Sequence, residues 1–427
     1  SLAQRNSPLM KAAQADLASY QSLLSQANSG RFPRFEVTGF FAPLPQKRVG
    51  TDGSNWLKDW DWSSLSPLVT AQLSFSQVLW TFGKIDALRA AAKAGIDIGR
   101  ATTQVAKMEL HYRISQAWWG VVLAKEMTQI ISKGSVQLQR QRARLERERD
   151  QAEDEDKPFD ETRLLRLRLA EADLQTKVRQ AKRAAALATD TLKATLNLSQ
   201  LAKVTPKSSR IEALDLKLLP IAAYERLAVE NHPKLLALRR GTVARYHQLQ
   251  YQKRRMWPDL VLTGRLAYTY APSVTTGDES LADNPTNPTQ SGAGIGLRWR
   301  LDVFRQLARI DTAKAKARKA RSLAKVEELK IRVAARELAR QTKDAQELLV
   351  VYEKAMRAAR GWMSSESQMA KGGFSDYRDL LNSMEQYYRR KIAWLEGIYR
   401  FNVQVAALSR AVGVDVIQLR VPSSDNK

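Results

Sequence analysis

The chain has 427 residues, of which 44% are hydrophobic and 26% are charged, and its formal net charge is +25. The hydrophobic share excludes a wholly disordered protein, and the absence of Cys excludes disulfides, thiol catalysis and Cys-bound metals. Three His far apart in sequence argue against a His-rich metal site, and no apolar run reaches the length of about 18 residues that a transmembrane helix needs.

The chain contains an internal repeat. Asn6-Ser7-Pro8 recurs as Asn231-His232-Pro233, and Thr38-Gly39 recurs at the same spacing as Thr263-Gly264. Repeated motifs at one spacing indicate a duplicated structural unit. We therefore predict two copies, at 1–205 and 221–420. A linker at 206–220 joins them, and a short tail at 421–427 follows the second copy. Each copy begins with a helix, predicted at 8–29 and 233–255, whose Pro suits the first helical turn.

Two strands follow the first helix of each copy. Apolar and polar residues alternate over four segments, near 34–42, 68–80, 259–271 and 293–304. In the first of them Phe35, Val37 and Phe41 share one face, while Arg34 and Glu36 lie on the other. This period of two predicts strands with one apolar and one polar face. The loops inside each pair are rich in Pro, Gly, Asn, Asp and Ser and are long for simple hairpins.

A very long helix follows each strand pair. In the second copy an apolar residue recurs every seven positions, at Ile310, Ala317, Ala324, Ile331, Leu338, Ala345, Tyr352 and Ala359. This seam is typical of a coiled coil, and about 60 residues of it would extend roughly 90 Å. The first copy has its equivalent at 84–149. Each rod reverses at a turn and returns as a second helix, at 160–197 and 376–412, with Gly413 as a predicted C-cap.

The apolar faces of the strands need a cover, and two covers are compatible with the pattern. Helices of the same soluble chain could pack on them, or the faces could contact lipid in a barrel closed by several chains. Tryptophans cluster in or beside the strand segments, as in an aromatic girdle at a lipid–water boundary, although they could equally fill a core. They are Trp56, Trp60, Trp62, Trp80, Trp257 and Trp299.

This order of elements, twice over, resembles outer-membrane efflux proteins of the TolC type. The resemblance covers nearly the whole chain, including the stretches QLSFSQVLWTFGKID, NHPKLLALRR and GGFSDYRDLLNSMEQYYRRKIAWLEGIYRFNVQVAALSRAVG. One departure is that Phe304-Arg305-Gln306-Leu307 stands where the first copy has Phe82-Gly83. The resemblance also implies that a signal peptide and some mature residues precede Ser1.

The resemblance implies a mainly α fold with a small β part. Long antiparallel coiled-coil hairpins form an α-barrel, and four transmembrane strands per chain complete a 12-stranded barrel in a homotrimer. Such a trimer sits in the outer membrane with a long periplasmic extension. It works as the passive exit duct of a tripartite efflux or type I secretion system, with a periplasmic adaptor and an inner-membrane pump as partners. It needs no cofactor or metal and is not an enzyme.

The resemblance also implies site residues. The turns between long and return helices become the adaptor-facing tip, at Lys157, Pro158, Phe159, Lys371, Gly372, Gly373 and Phe374, although ordinary helix–helix turns would look similar. Aligning the tip glycines places a tunnel constriction at Asp376, Asp379 and Asn382, where three copies would form rings of carboxylates. Asn382 stands where the pattern has an acid, and a solvated outer face is the alternative.

The positive charge has two interpretations. Arg34, Arg265, Arg298 and Arg300 occupy the polar strand face with Glu36, and we predict that they line the barrel lumen and favour anionic or amphiphilic cargo. A solvated exterior is the alternative for the basic helices. The chain could instead be a basic coiled-coil scaffold that binds anionic membrane or nucleic acid, although the strand pairs do not suit that function.

Overall fold

The computed structural model describes residues 5–47, 60–156, 158–199, 201–202, 210–270, 289–372 and 377–418. Helices dominate, and each half of the chain contains a helix, two strands, a long helix and a return helix in that order, with one additional helix at the start of the second half. The first half contains α1 Pro8–Ser29, β1 Arg34–Lys47, β2 Trp60–Trp80, α2 Lys84–Asp154 and α3 Glu161–Leu196. The second half contains α4 Ile221–Asn231, α5 Pro233–Arg254, β3 Asp259–Tyr270, β4 Thr289–Arg298, α6 Val303–Lys371 and α7 Tyr377–Val412.

The strand bounds differ from the predicted ones on three of the four strands. β1 and β2 extend further from the helices than 34–42 and 68–80, and a register shift between Pro45 and Gln46 marks the extension. β4 begins at Thr289 instead of near 293, and it ends at Arg298 instead of continuing to 304. Arg298 pairs with Asp259, so the next partner would be Pro258, which has no backbone N–H to donate. The predicted limits of the two repeats stay a prediction.

The chain divides into two compact units. The strand unit comprises Ala18–Asp97 and Arg239–Ser322, and the helical unit comprises Ser1–Leu17, Ile98–Leu238 and Leu323–Lys427. The strand unit contains a single four-stranded antiparallel sheet in the order β1-β2-β3-β4. β1 and β4 are its edges and have no further strand partner in the described part of the chain.

The register confirms the two faces of the sheet. Arg34 pairs with Ser76, Ser76 with Thr263 and Thr263 with Gly294, so polar and small residues share one face. Phe35, Leu73, Leu266, Ile295 and the other apolar residues of the alternation share the opposite face. Because these side chains are exposed, with Phe35 at 67% and Ile295 at 68%, helices of the same chain do not cover them. The interpretation of a soluble sheet packed on its own helices is therefore wrong for the described residues.

The helical unit has its largest core along α7. Leu395, Phe401, Val405 and Leu408 are fully buried there, in contact with apolar residues of α2, α4 and α6. The seven-residue seam of α6 is buried or half-buried along its length, which confirms that this face packs. Its Ala residues leave room for close helix neighbours.

The segment before α4 is attached to the helical unit by specific hydrogen bonds. The buried Asn402 side chain accepts one from the Leu214 N–H at 3.0 Å and donates one to the Glu212 carbonyl at 2.8 Å. The Ile211 N–H donates to Glu126, and the Gln346 amide donates to the Leu216 carbonyl. In this way the backbone N–H and C=O groups of an extended segment without a sheet partner obtain hydrogen-bond partners.

Candidate functional site

The polar face of the sheet borders a cavity of about 1180 Å³ within the strand unit. All five residues predicted for the lumen, Arg34, Glu36, Arg265, Arg298 and Arg300, line this cavity. The adjoining ends of the helices add further cations, so that eight basic side chains face three acidic ones. The additional charged residues are Lys84, Arg255, Arg305, Arg309, Asp259 and Asp302.

Only some of these charges are paired. The Lys84 ammonium lies 2.8 Å from the Asp259 carboxylate and donates to the Trp257 carbonyl at 2.6 Å. The Arg305 guanidinium lies 3.4 Å from Asp302. Among the described residues, the guanidinium groups of Arg34, Arg255, Arg265, Arg298, Arg300 and Arg309 have no carboxylate within 4 Å. The cavity therefore keeps a net positive charge in this chain.

Between Gly292 and Gly296, β4 contributes almost no side-chain volume to the polar face, and Arg298 at the end of the strand is the next residue on that face. The inward positions of this segment are Gly292, Gly294 and Gly296, and a Cβ added at any of them would have no neighbour within 4 Å. Gly292 pairs with Arg265 and Gly294 with Thr263. The arginine on β3 therefore faces an unobstructed space on this side of the sheet.

Aromatic side chains gather where the sheet meets the helices. The Phe82 ring stacks on Trp257 at 5.9 Å and meets Trp80 edge-on at 6.4 Å, and the Trp299 indole donates to the Met256 carbonyl at 2.9 Å. Trp80, Trp257 and Trp299 are each more than half exposed, as is Trp62 near the start of β2. These four tryptophans therefore do not fill a core. Trp56 lies outside the described residues, and of Trp60 only the backbone is described.

Phe82 and Gly83 form the turn between β2 and α2. Both have positive φ, 49° and 77°, and the Arg254 guanidinium donates to the Gly83 carbonyl at 2.8 Å. The positive φ of Gly83 favours glycine, and a Cβ there would lie 2.7 Å from that guanidinium, which would have to move. The second copy replaces this turn by Phe304-Arg305-Gln306, where the buried Gln306 amide donates to the Gln252 carbonyl at 2.6 Å.

The described tip residues lie at helix ends. Pro158 is exposed and Phe159 is half-buried, just before Asp160, whose carboxylate accepts from the Thr162 N–H at the start of α3. Lys371 ends α6, and the Gly372 N–H donates to the Met369 carbonyl at 3.1 Å. Lys157, Gly373 and Phe374 lie outside the described residues. The assignment of these turns to an adaptor contact stays a prediction.

Two predicted constriction residues lie at the start of α7. Asp379 is half-buried in the first turn, with its carboxylate 3.7 Å from the Arg378 guanidinium. Asn382 is exposed one turn later and borders an apolar groove between α2, α3 and α7. Asp376 lies outside the described residues. Because a ring needs three copies, a single chain leaves the constriction a prediction.

Sequence reasoning missed part of the cavity lining. Lys84 and Arg309 occupy equivalent positions of the two repeats, in Lys84-Ile85-Asp86 and Arg309-Ile310-Asp311, and both face the cavity. That equivalence was a signal in the sequence. Arg305 had no such signal, because its counterpart in the first copy is not basic.

In the described ranges, no three His, Asp or Glu side chains cluster closely enough to hold a metal ion. None of the described helices combines the length and apolar character needed to cross a membrane.

Solved structures share this fold. The outer-membrane channel OprN is 17% identical and superposes with a TM-score of 0.76, covering 97% of this chain and 89% of that chain. The CmeC outer-membrane channel of Campylobacter jejuni is 15% identical with a TM-score of 0.76, covering 97% and 84%. The open state of the MtrE channel of Neisseria gonorrhoeae is 14% identical with a TM-score of 0.74, covering 97% and 88%.

Sequence comparisons found no relatives. No family model matches the chain, and no curated protein matches it. At identities of 14–17% the structural likeness establishes the fold. The chain therefore has the fold of these outer-membrane channels, as the resemblance implied.

Proposed function

We propose that this chain is the outer-membrane exit duct of a tripartite efflux or type I secretion system, working as a homotrimer. The observation that carries this proposal is the four-stranded sheet with an exposed apolar face and two open edges. Open edges in lipid would leave backbone N–H and C=O groups without partners, at a cost of several kcal/mol each. Pairing of β4 with β1 of the next copy removes every edge, and three copies give 12 strands.

The height of the apolar band supports placement in a bilayer. Leu260 on β3 pairs with Trp80, and ten residues further along the strand Tyr270 pairs with Val69. Ten residues span roughly 33 Å, which a tilt of about 40° reduces to about 25 Å, the usual height of the apolar band of such barrels. Trp80, Trp257 and Trp299 mark one boundary, and Tyr268 and Tyr270 mark the other. Trp62 lies beyond the second boundary.

Exposed apolar residues on the long helices support the association of several chains. They include Leu165, Leu169 and Leu187 on α3 and Leu329, Val333 and Val350 on α6, all at least half exposed. An isolated soluble chain rarely exposes so many large apolar side chains on regular helices. Helices of neighbouring copies would cover them and complete a periplasmic tunnel through which substrate passes without chemical change.

The tip turns are the proposed contact with the periplasmic adaptor, with the inner-membrane pump beneath it. Exposed Pro158 and half-buried Phe159 follow the end of α2, and Gly372 follows Lys371, the last residue of α6. Gly373 and Phe374, the next residues in the sequence, belong to the same proposed contact. An aromatic side chain beside a tight turn is a typical anchor for a partner's pocket.

Mass determination in an uncharged detergent, followed by planar-bilayer recording, tests the proposal. We expect the mass of three chains of 48.1 kDa plus bound detergent. We also expect stepwise conductance after addition to the bilayer, because a closed 12-stranded barrel encloses water. A protein that stays dissolved as a monomer or dimer without detergent, and binds nucleic acid or anionic vesicles, would instead support the scaffold function.

A further inference from the structure

The cavity on the polar face of the sheet is lined by eight basic and three acidic side chains. Arg34, Arg265 and Arg298 project from three strands into it, and none has a carboxylate within 4 Å among the described residues. We propose that this cavity binds organic anions, namely carboxylates, sulfonates or phosphates carried on an apolar body, as they pass through the duct. The proposal rests on the proposed function and adds a substrate class to it.

The chemistry of the lining favours oxyanions. The guanidinium group is always charged and presents parallel N–H donors that match two oxygens of one carboxylate, sulfonate or phosphate. Several like charges around one space raise its positive potential, because water in a recess screens them less than bulk solvent does. An anion entering the cavity is attracted by this potential, whereas a cation of the same size is repelled.

The geometry leaves room for the ligand beside the arginines. Gly292 lies directly across from Arg265 in the β3–β4 pairing, and Gly294 and Gly296 follow on the same face. A Cβ at any of these positions has no heavy atom within 4 Å. Any larger side chain there would occupy the space that an anion needs in order to reach the guanidinium.

The remaining lining explains why the anion should carry an apolar body. Phe32 borders the same cavity and is more than half exposed. A flat apolar group can pack on such a ring while its anionic group reaches an arginine. Inorganic ions would use only the charges and should bind more weakly.

The test measures binding of naphthalene-1,5-disulfonate by titration calorimetry to the delipidated protein in an uncharged detergent. The double variant Arg265→Gln/Arg298→Gln should bind about a hundredfold more weakly, because each loss of a charged hydrogen bond costs about tenfold or more in affinity. Lys314→Gln/Lys316→Gln removes the same charge from exposed positions of α6 outside the cavity and should bind like the wild type.

A second pair of variants separates charge from space. Gly292→Glu places a carboxylate opposite Arg265 and should weaken binding much more than Gly292→Gln, which adds nearly the same volume without charge. Wild-type affinity in the double arginine variant, or equal losses in the two Gly292 variants, would overturn the proposal. Near-ultraviolet circular dichroism of each variant establishes that the sheet is folded.

Bilayer conductance of the same samples separates this inference from the proposed function. Channels that conduct but bind no disulfonate would refute the anion site, and they would still support the proposed duct. A protein that binds the disulfonate and never conducts would refute the duct, and the cavity would then no longer serve cargo in transit.

Discussion

Gly413 shows how a single residue ends an element and forms a contact at once. It follows α7 with φ of 89°, and its N–H donates to the Ser409 carbonyl at 3.0 Å. A Cβ at this position would lie 2.7 Å from the Asn231 carbonyl oxygen and 2.9 Å from the His232 Cα. Glycine is therefore required both by the left-handed backbone and by the close approach of the residues before α5.

We expect Gly413→Ala to lower the free energy of unfolding by about 2 kcal/mol or more, because strain and overlap add. Gly361→Ala is the matched control. Gly361 lies within α6 and a Cβ there meets nothing within 4 Å, so that variant should gain about 0.5–1 kcal/mol. Urea titration in detergent measures both, and equal effects of the two substitutions would contradict the interpretation.

A hydrogen bond at the start of α5 depends on the protonation state of His232. Burial lowers the pKa of His232, the nearby charges of Lys234 and Arg410 lower it further, and Glu327 acts in the opposite direction. The Nδ1 atom accepts from the Lys234 N–H at 3.2 Å, a bond that a protonated ring would lose. The folded protein therefore favours the neutral imidazole.

We expect this preference to cost stability on acidification. The pKa of His232 in the folded protein lies below the unfolded value of about 6.5, so the stability that neutral His232 contributes is fully present above about pH 6.5. It is lost as the pH falls through the pKa of the folded protein. His232→Asn keeps a capping oxygen but does not titrate, so its unfolding temperature should fall less between pH 7 and pH 5. Equal decreases in the unfolding temperature of the two proteins over that pH range would show that His232 is not the group responsible.

At the scale of the element, the strand alternation decides which side chains face lipid. Val37 is 77% exposed on the apolar face of β1, and Thr38 follows it on the polar face. Val37→Lys should destabilise the membrane-inserted state by about 2–4 kcal/mol if the site lies near the bilayer midplane, whereas Thr38→Lys should have a much smaller effect. Folding of each variant into lipid vesicles at graded urea concentrations measures the difference. Similar losses in both variants would exclude lipid contact for this face.

Gly264 shows how a strand tolerates a residue without a side chain. The Phe75 ring lies over it, and a Cβ on Gly264 would come within 2.1 Å of that ring. Phe75 also contacts Phe35 on the neighbouring strand, at 6.2 Å between ring centroids. Cross-strand aromatics of this kind fix the register of a sheet that no helix covers.

At the scale of the whole molecule, the proposed trimer turns single carboxylates into rings. Asp379 is half-buried in the first turn of α7, and we predict that three copies face one another around the tunnel. Asp379→Asn should then reduce the ratio of potassium to chloride permeability by about half or more in bilayer recordings. Glu385→Gln is the control on the same helix, because it removes a carboxylate from an exposed position six residues further along α7, where no ring is predicted. An unchanged ratio in the Asp379 variant would place this residue outside the tunnel.

The sequence by itself determined the kinds of element and the faces they present. Periods of two and seven follow from backbone geometry, so the strands of Phe35 and Leu266 and the seam of Ile331 were predictable without any tertiary contact. The repeat was equally visible, because duplicated Asn-x-Pro and Thr-Gly motifs keep their spacing.

Only the tertiary structure decided which of those faces are exposed and which residues they bring together. The end of β4 at Arg298 depends on what its partner strand can offer, and Pro258 offers no donor. The cavity combines residues from all four strands and the adjoining helix segments, including Arg305, whose part in it no local pattern indicates. Whether the apolar face is covered is likewise a question of packing between distant segments. Periodicity is a local property of the chain, whereas exposure and the convergence of charges depend on contacts across hundreds of residues.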